Sequence, residues 1–545
     1  MMHFELQNFN SRRRLGKKTY YFLFSCMISF TFFQCQYKPR DQGDILGLIG
    51  SGYAVGSLTN GGIEYPPAVP GTPVPVNGVW INEAYFKATN VTGSTYFGNS
   101  IAVSGDTMVV GSFRENSNQI GPTNGPTASA DQSLFASGAV YVFRKVAGNW
   151  IQEAYLKASN PGMSDFFGTS VAISGNTVVV GAPMNGGSGS IYVFQRVGTV
   201  WSEQARLKAS NWDAGDRFGS VVSIDGDVIV IGAEWENSSQ NTVTNGTTAS
   251  ADNSLNDAGA AYIFRRNAGV WTQEAYLKAP NPGNGDYFGS AVSISGDTVV
   301  VGAYKEDSQA VTTNGTTASA DNSKSESGAA YVFRRTAGIW GQEAFLKASN
   351  LDPNDQFGKT LSVSNNTIVI GAALEDSNVN TITNGATASP VNALAGSGAA
   401  YIFERTGVTW TQTAYLKAKN VQAGDQFGTA VAVEGNFIAV GAINESCGQS
   451  TVTYGPLVVW DERAPQSGAV YMFRKTDGRW GEYSYFKAPN AGNADLFGSG
   501  VSLSGTRIVV GAPQESSNQN TITNGPTAST DDSEYRSGAA YAFER

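Results

Sequence analysis

The 545-residue chain is 11% aromatic and 15% charged, carries 64 glycines and has a formal charge of −9, a composition that is globular and turn-rich rather than disordered. Its acidic balance lacks the basic footprint of a nucleic-acid binder, and no nucleic-acid partner is expected. The only histidine is His3 and the only cysteines are Cys26, Cys35 and Cys447, which leaves no Ser/His/Asp or Cys/His arrangement and no His-ligated zinc, while carboxylate-only chemistry stays open.

The N-terminus begins with a basic region around Arg12, Arg13, Arg14, Lys17 and Lys18, followed by an apolar run from Thr19 to Gln34 and a cysteine. This is the pattern of an export signal over residues 1–34, and the run is short for a membrane span, which takes about 20 apolar residues. A cysteine at the end of such a run points to lipidation. Cys35 closes a run of proper length but follows Phe-Phe-Gln, whereas Cys26 follows the better-matched Leu-Phe-Ser after a short run. Cys35 is favoured, with Cys26 as the alternative. An uncleaved anchor is the remaining reading. Residues 35–78 are rich in Gly and Pro and end in YPPAVPGTPVPVNG, a tether that reaches on the order of 35 Å. The expected location is a bacterial envelope, at the outer membrane or cell surface, with the membrane met only through this N-terminal anchor.

From residue 79 onward the chain repeats itself. A Phe-Gly pair recurs at Phe97, Phe167, Phe218, Phe288, Phe357, Phe427 and Phe497, at intervals of 70, 51, 70, 69, 70 and 70 residues. Each unit opens on a Trp, from Trp80 to Trp480, and closes on Tyr-x-Phe, from Tyr141 to Tyr541. Within the fourth unit, FGSAVSIS and TVVVGA flank Gly296-Asp297, a hairpin turn with Gly first; GAAYVFRR and WGQEAFLKA follow, joined at Ala337-Gly338. These are strands A, B, C and D. Seven units of four antiparallel strands, none able to bury both faces alone, predict an all-β, seven-bladed β-propeller over residues 79–545. The first repeat element, residues 80–88, is a lone D strand, and the chain ends just after a C strand. Residues 80–88 should therefore complete the last blade and close the ring.

The stretches FGSAVSISGDTVVVGA, Gly181-Ala182-Pro183 and Gly511-Ala512-Pro513 resemble the FG-GAP repeat of the integrin α-subunit propeller, and the longer wording is similar to exported FG-GAP repeat proteins of bacteria. The resemblance implies a seven-bladed propeller and a role in adhesion or ligand binding. It does not extend to the calcium loops that integrins carry between A and B, because all seven A-to-B turns here are tight, as at Ser104-Gly105-Asp106.

In such a blade the B-to-C and D-to-A connections share one face. That face carries the variable sequence and is the expected binding face for a protein or glycan ligand. Six B-to-C insertions measure 26 or 27 positions between flanking glycines, and that of the second unit measures 8, leaving a notch that either admits a partner or records a lost insertion. Acidic residues recur on this face. Asp286, Glu306 and Asp321 typify them as weak Ca²⁺ candidates, against the alternative that they brace the loops by side-chain to backbone bonds. The sixth insertion is unlike the rest: Tyr454, Leu457 and Trp460 form an apolar cluster with the composition of a partner-binding spot or of a small loop core. The leading expectation is a monomeric, non-catalytic adhesion or binding protein. The alternatives are a carboxylate-based propeller enzyme and a structural envelope component.

Overall fold

The computed structural model describes residues 78–455 and 461–545. The signal segment, both lipidation candidates, Leu457, Trp460 and all of the tether but its last residue lie outside the described residues. Seven antiparallel sheets are arranged in chain order. In blade four, strand A (Ala291–Ser295) pairs with B (Thr298–Ala303), B with C (Ala329–Thr336), and C with D (Ile339–Leu346). Strand A alternates in burial from Val292 to Ser295 while strand B is buried throughout, as expected where neighbouring blades cover both faces of the sheet. The A strands of successive blades touch one another and line the axis. Gly296 opens the A-to-B turn at φ +56°, the left-handed conformation that a turn with Gly first requires.

The ring closes as the repeat register predicts. Strand D of blade seven is Ile81–Phe86, which pairs with Ala539–Glu544 and sets Tyr85 opposite Tyr541. The backbone N–H groups of Val103 and Gly105 in blade one donate to Ser502 and Ser504 of blade seven.

Each core lies between two blades. Phe357 packs edge-on against Tyr401 and Phe403 of its own C strand, with ring centroids 5.3 and 6.1 Å apart, and against Val332 and Leu346 of blade four. This is why Phe-Gly and Tyr-x-Phe travel together: they are two parts of one aromatic cluster. The glycines meet at the same seam. A Cβ on Gly302, the glycine of Gly-Ala, would stand 2.0 Å from the carbonyl oxygen of Gly358 in the next blade's Phe-Gly. Two backbones touch there, and neither can yield like a flexible side chain. Gly302→Ala is therefore expected to destabilise the propeller by about 2–3 kcal/mol in chemical denaturation, whereas Gly341→Ala, with open space around its site, should be nearly neutral. Equal effects would show that propensity rather than the seam governs.

One feature departs from the expected four strands. In six blades the long insertion returns as a fifth, two-residue strand on the outer edge of D, as Thr313–Asn314 does in blade four. The Asn then reaches the next blade: Asn314 Nδ2 donates to the Trp410 carbonyl while its Oδ1 accepts from the Trp410 N–H, at 3.2 and 2.7 Å. Asn124, Asn245, Asn384 and Asn524 hold Trp201, Trp340, Trp480 and Trp150 in the same way. The insertions are thus clamps between blades rather than a free crown of loops. Every C–D pair carries a bulge, and in blades one to four the extra residue adds a second tie: Glu153, Gln204, Glu274 and Glu343 accept from the indole N–H of Trp201, Trp271, Trp340 and Trp410, and Glu343 also pairs with Arg405.

Candidate ligand site on the loop face

The recurring acids divide by position. The glutamate after strand B is buried in six blades and pairs with the lysine at the end of strand D. In blade four Glu306 accepts from Lys347 at 2.8 Å, from the Ser308 N–H at 3.2 Å and from Asn281 at 3.0 Å; Lys347 also donates to Ser327. The same pair is made by Glu115, Glu236, Glu375, Glu445 and Glu515 with Lys157, Lys278, Lys417, Lys487 and Lys87. The aspartate two residues before the Phe of Phe-Gly is buried as well. Asp286 accepts from the Gly283 N–H at 2.7 Å, and burial pushes its carboxyl up to about 7. Asp321 is exposed; it accepts from the Gln309 N–H and the Ser323 hydroxyl, and these bonds hold its carboxyl below the usual range. Asp286, Glu306 and Asp321 each meet protein donors, and no group of three or more metal-ligating side chains assembles among the described residues. Sequence reasoning missed the lysine, although a Lys at the end of strand D, in LKA or FKA, accompanies the glutamate in each of the six units that have it.

Tyr454 stands where the other insertions place their clamping Asn. It forms the fifth strand with Ser484 opposite, and its hydroxyl donates to the Trp80 carbonyl at 2.6 Å. It fastens blade six to the strand that closes the ring.

What remains on this face is a collar around the axis, built from three positions per blade: the residue before Phe-Gly, the residue directly after that glycine, and the residue after Gly-Ala. All seven residues before Phe-Gly have φ near +57°, and none is glycine: Tyr96, Phe166, Arg217, Tyr287, Gln356, Gln426 and Leu496. A strained backbone kept in every blade fixes the direction of seven side chains at once. After Gly-Ala come Phe113, Pro183, Glu234, Tyr304, Ala373, Ile443 and Pro513. Six are uncharged and the seventh is Glu234. Arg217 is likewise the only charge in its set, and Lys359 the only one among Asn99, Thr169, Ser220, Ser290, Lys359, Thr429 and Ser499.

These three charges border two cavities that share Glu234. One, of about 330 Å³, has Phe113, Phe166, Pro183 and Met184 on one side and Arg217 and Ser220 on the other. The second, of about 380 Å³, is lined by Tyr304, Lys359, Gln426 and Thr429 among others. Arg217 lies 3.4 Å over the Trp235 ring and 3.6 Å from Glu234. Its Nε and the Ser220 hydroxyl are buried without a hydrogen-bond partner among the described residues. Burial pushes the Glu234 carboxyl up, against the pull of Arg217. Lys305 and Lys359 lie over Tyr304, which stacks on Tyr287. An apolar wall with cations and free donors opposite suits a ligand with an acidic or acceptor group. The signal was present in the sequence as three columns of the repeats, read across blades.

The fold and the collar define a seven-bladed propeller whose blades carry Phe-Gly and Gly-Ala at their seams and whose individuality lies at the axis. The FG-GAP repeat profile matches residues 80–143, 150–194, 201–264, 271–333, 340–403, 410–473 and 480–543, one match per unit, and the chain belongs to the FG-GAP repeat family. No curated protein matches the chain. Among solved structures, one from Bacteroides uniformis, provisionally described as a 6-phosphogluconolactonase, aligns at 10% identity with a TM-score of 0.38, over 74% of this chain and 94% of its own.

Proposed function

We propose that this protein is an exported, envelope-anchored binding protein that acts without catalysis and takes an acidic group of a protein or glycan ligand at the axial mouth of its loop face. The observation that carries the reading is the break in collar symmetry: Arg217, Glu234 and Lys359 stand at positions that are uncharged in every other blade, beside buried donors without a partner among the described residues. Scaffolding repeats in all blades, whereas a ligand needs one place. Cys35, or Cys26 in its stead, supplies the anchor in this reading. The test is binding of the full chain to arrays of acidic glycans and envelope or matrix proteins, with Arg217→Ala/Lys359→Ala beside it. Retained binding that falls at least tenfold in the double variant is expected. No binding, or binding indifferent to the two cations, sinks the reading.

The raised Glu234 carboxyl beside Arg217 favours one second reading, acid catalysis at the same mouth. Glu234→Gln separates the two: ligand turnover that this variant abolishes would make the mouth an active site.

A further inference from the structure

Blade two has no long insertion. Its B and C strands are joined through the short turn Asn185–Gly187, and its sheet stops at strand D (Val200–Leu207) with no fifth strand. Both halves of the clamp are therefore open. In the other six blades the Gly after the fifth strand donates its N–H to the carbonyl of the bulged D residue, as Gly246 does to Glu274 at 2.7 Å. The matching carbonyl in blade two, that of Gln204, receives no such donor. Gln204 and Arg206 are exposed, whereas their blade-one counterparts Glu153 and Tyr155 are buried. On the facing side, Trp271 of blade three is the one repeat-opening tryptophan whose main chain meets no side chain from the blade before it among the described residues. Asn serves five of the others and Tyr454 the sixth.

The filled seams specify what fits the open one. A guest must be extended over two residues to pair with Ala205 and Arg206, must follow them with Gly to reach the Gln204 carbonyl, and must carry Asn at the second position to hold Trp271. We propose that the seam between blades two and three is a docking site for an extended Thr-Asn-Gly segment of another polypeptide chain, taken up by strand addition to the edge of blade two. Main-chain pairing supplies the attachment, and the two-ended amide bond to Trp271 supplies the selection. The edge is already protected against random pairing by Glu203 and Arg206, and a guest with Asn is the one that gains both bonds. This site is on the rim of the disc, apart from the axial mouth, and does not depend on the reading given for that mouth.

The probe is a fluorescent peptide with the sequence of residues 240–250, QNTVTNGTTAS, titrated into the full chain and read by anisotropy. Saturable binding is expected, with a loss of at least tenfold when the peptide's Asn at the position of Asn245 is Ala. A second variant protein, in which residues 183–188 are replaced by the blade-three insertion 234–258, fills its own seam; it should melt higher than the parent and bind no peptide. Equal binding of the Asn→Ala peptide, or undiminished binding by the grafted chain, overturns the proposal. Residues 79–545 contain every strand of the closed ring and serve as the third arm. If they bind the peptide and the full chain does not, the chain's own Thr59-Asn60-Gly61 satisfies the seam, and docking of another chain is overturned.

Discussion

Glu306→Gln is expected to lower the unfolding free energy by about 3–5 kcal/mol, the usual consequence of removing one partner of a buried ion pair. Glu306 and Lys347 are 1% exposed. Within that enclosure the carboxylate accepts from Lys347, Ser308 and Asn281, and Asn281 in turn accepts from the Tyr331 hydroxyl at 2.7 Å. Gln retains the shape and leaves an ammonium in the core with no counter-charge. Lys347→Met leaves the opposite charge and should be comparably damaging. The double variant Glu306→Leu/Lys347→Met removes both, so its loss should be smaller than the sum of the singles and smaller than either alone. Chemical denaturation in EDTA and again in millimolar Ca²⁺ also decides between structural and metal roles for this carboxylate. Identical midpoints in the two buffers, with the large loss from Glu306→Gln unchanged, identify an ion pair that holds the insertion to strand D. A calcium-dependent rise that Glu306→Gln abolishes would make Glu306 a ligand and the pair secondary.

The fold was legible because its signals are backbone signals. Phe-Gly, Gly-Ala and Tyr-x-Phe recur where chains touch, and a glycine that admits no Cβ, such as Gly302, marks the sequence as plainly as it constrains the structure. The closing strand could be placed by register alone. Interactions between side chains far apart in sequence were harder to see. Lys347 and Glu306 stand 41 residues apart, and Asn314 meets Trp410 across 96; each recurs in step with its partner, but the repeat gives no hint of which columns meet. The insertions therefore read as exposed loops when they are clamps, and Tyr454, read either as a partner contact or as part of a small loop core, also stands at one of the clamp positions and bonds to Trp80. The collar was missed for the opposite reason. Glu234 is two residues from Glu236, a recurring acid, and only alignment of the seven units separates the one that repeats from the one that does not.

The propeller is expected to lose stability as pH rises from 5.5 to 8, its melting temperature falling by several degrees. Burial pushes the carboxyls of Asp216, Asp286, Asp425 and Asp495 up to about 7 and that of Asp355 to about 8, with the neighbouring glutamate adding to the rise. The backbone N–H three residues earlier, from Gly283 to Asp286 for instance, favours the ionised form but is outweighed. In the unfolded chain these groups titrate near 3.8. The folded state therefore holds more protons between the two values. Their contribution is fully present below about pH 4 and is lost as pH climbs through 7 to 8, each group adding at most about 1.4 kcal/mol per pH unit. The buried lysines, whose pKa values burial lowers, act in the other direction where they titrate. Asp286→Asn/Asp355→Asn should flatten the profile, because an amide oxygen still accepts the backbone N–H and nothing is left to ionise. Blade one already shows that the site works without a carboxylate: Thr95 occupies it and donates to the Thr92 and Ser537 carbonyls. A profile that is flat or rises between pH 5.5 and 8 would mean that the backbone donors keep these aspartates charged, in which case the asparagine variants should be the less stable proteins at pH 8.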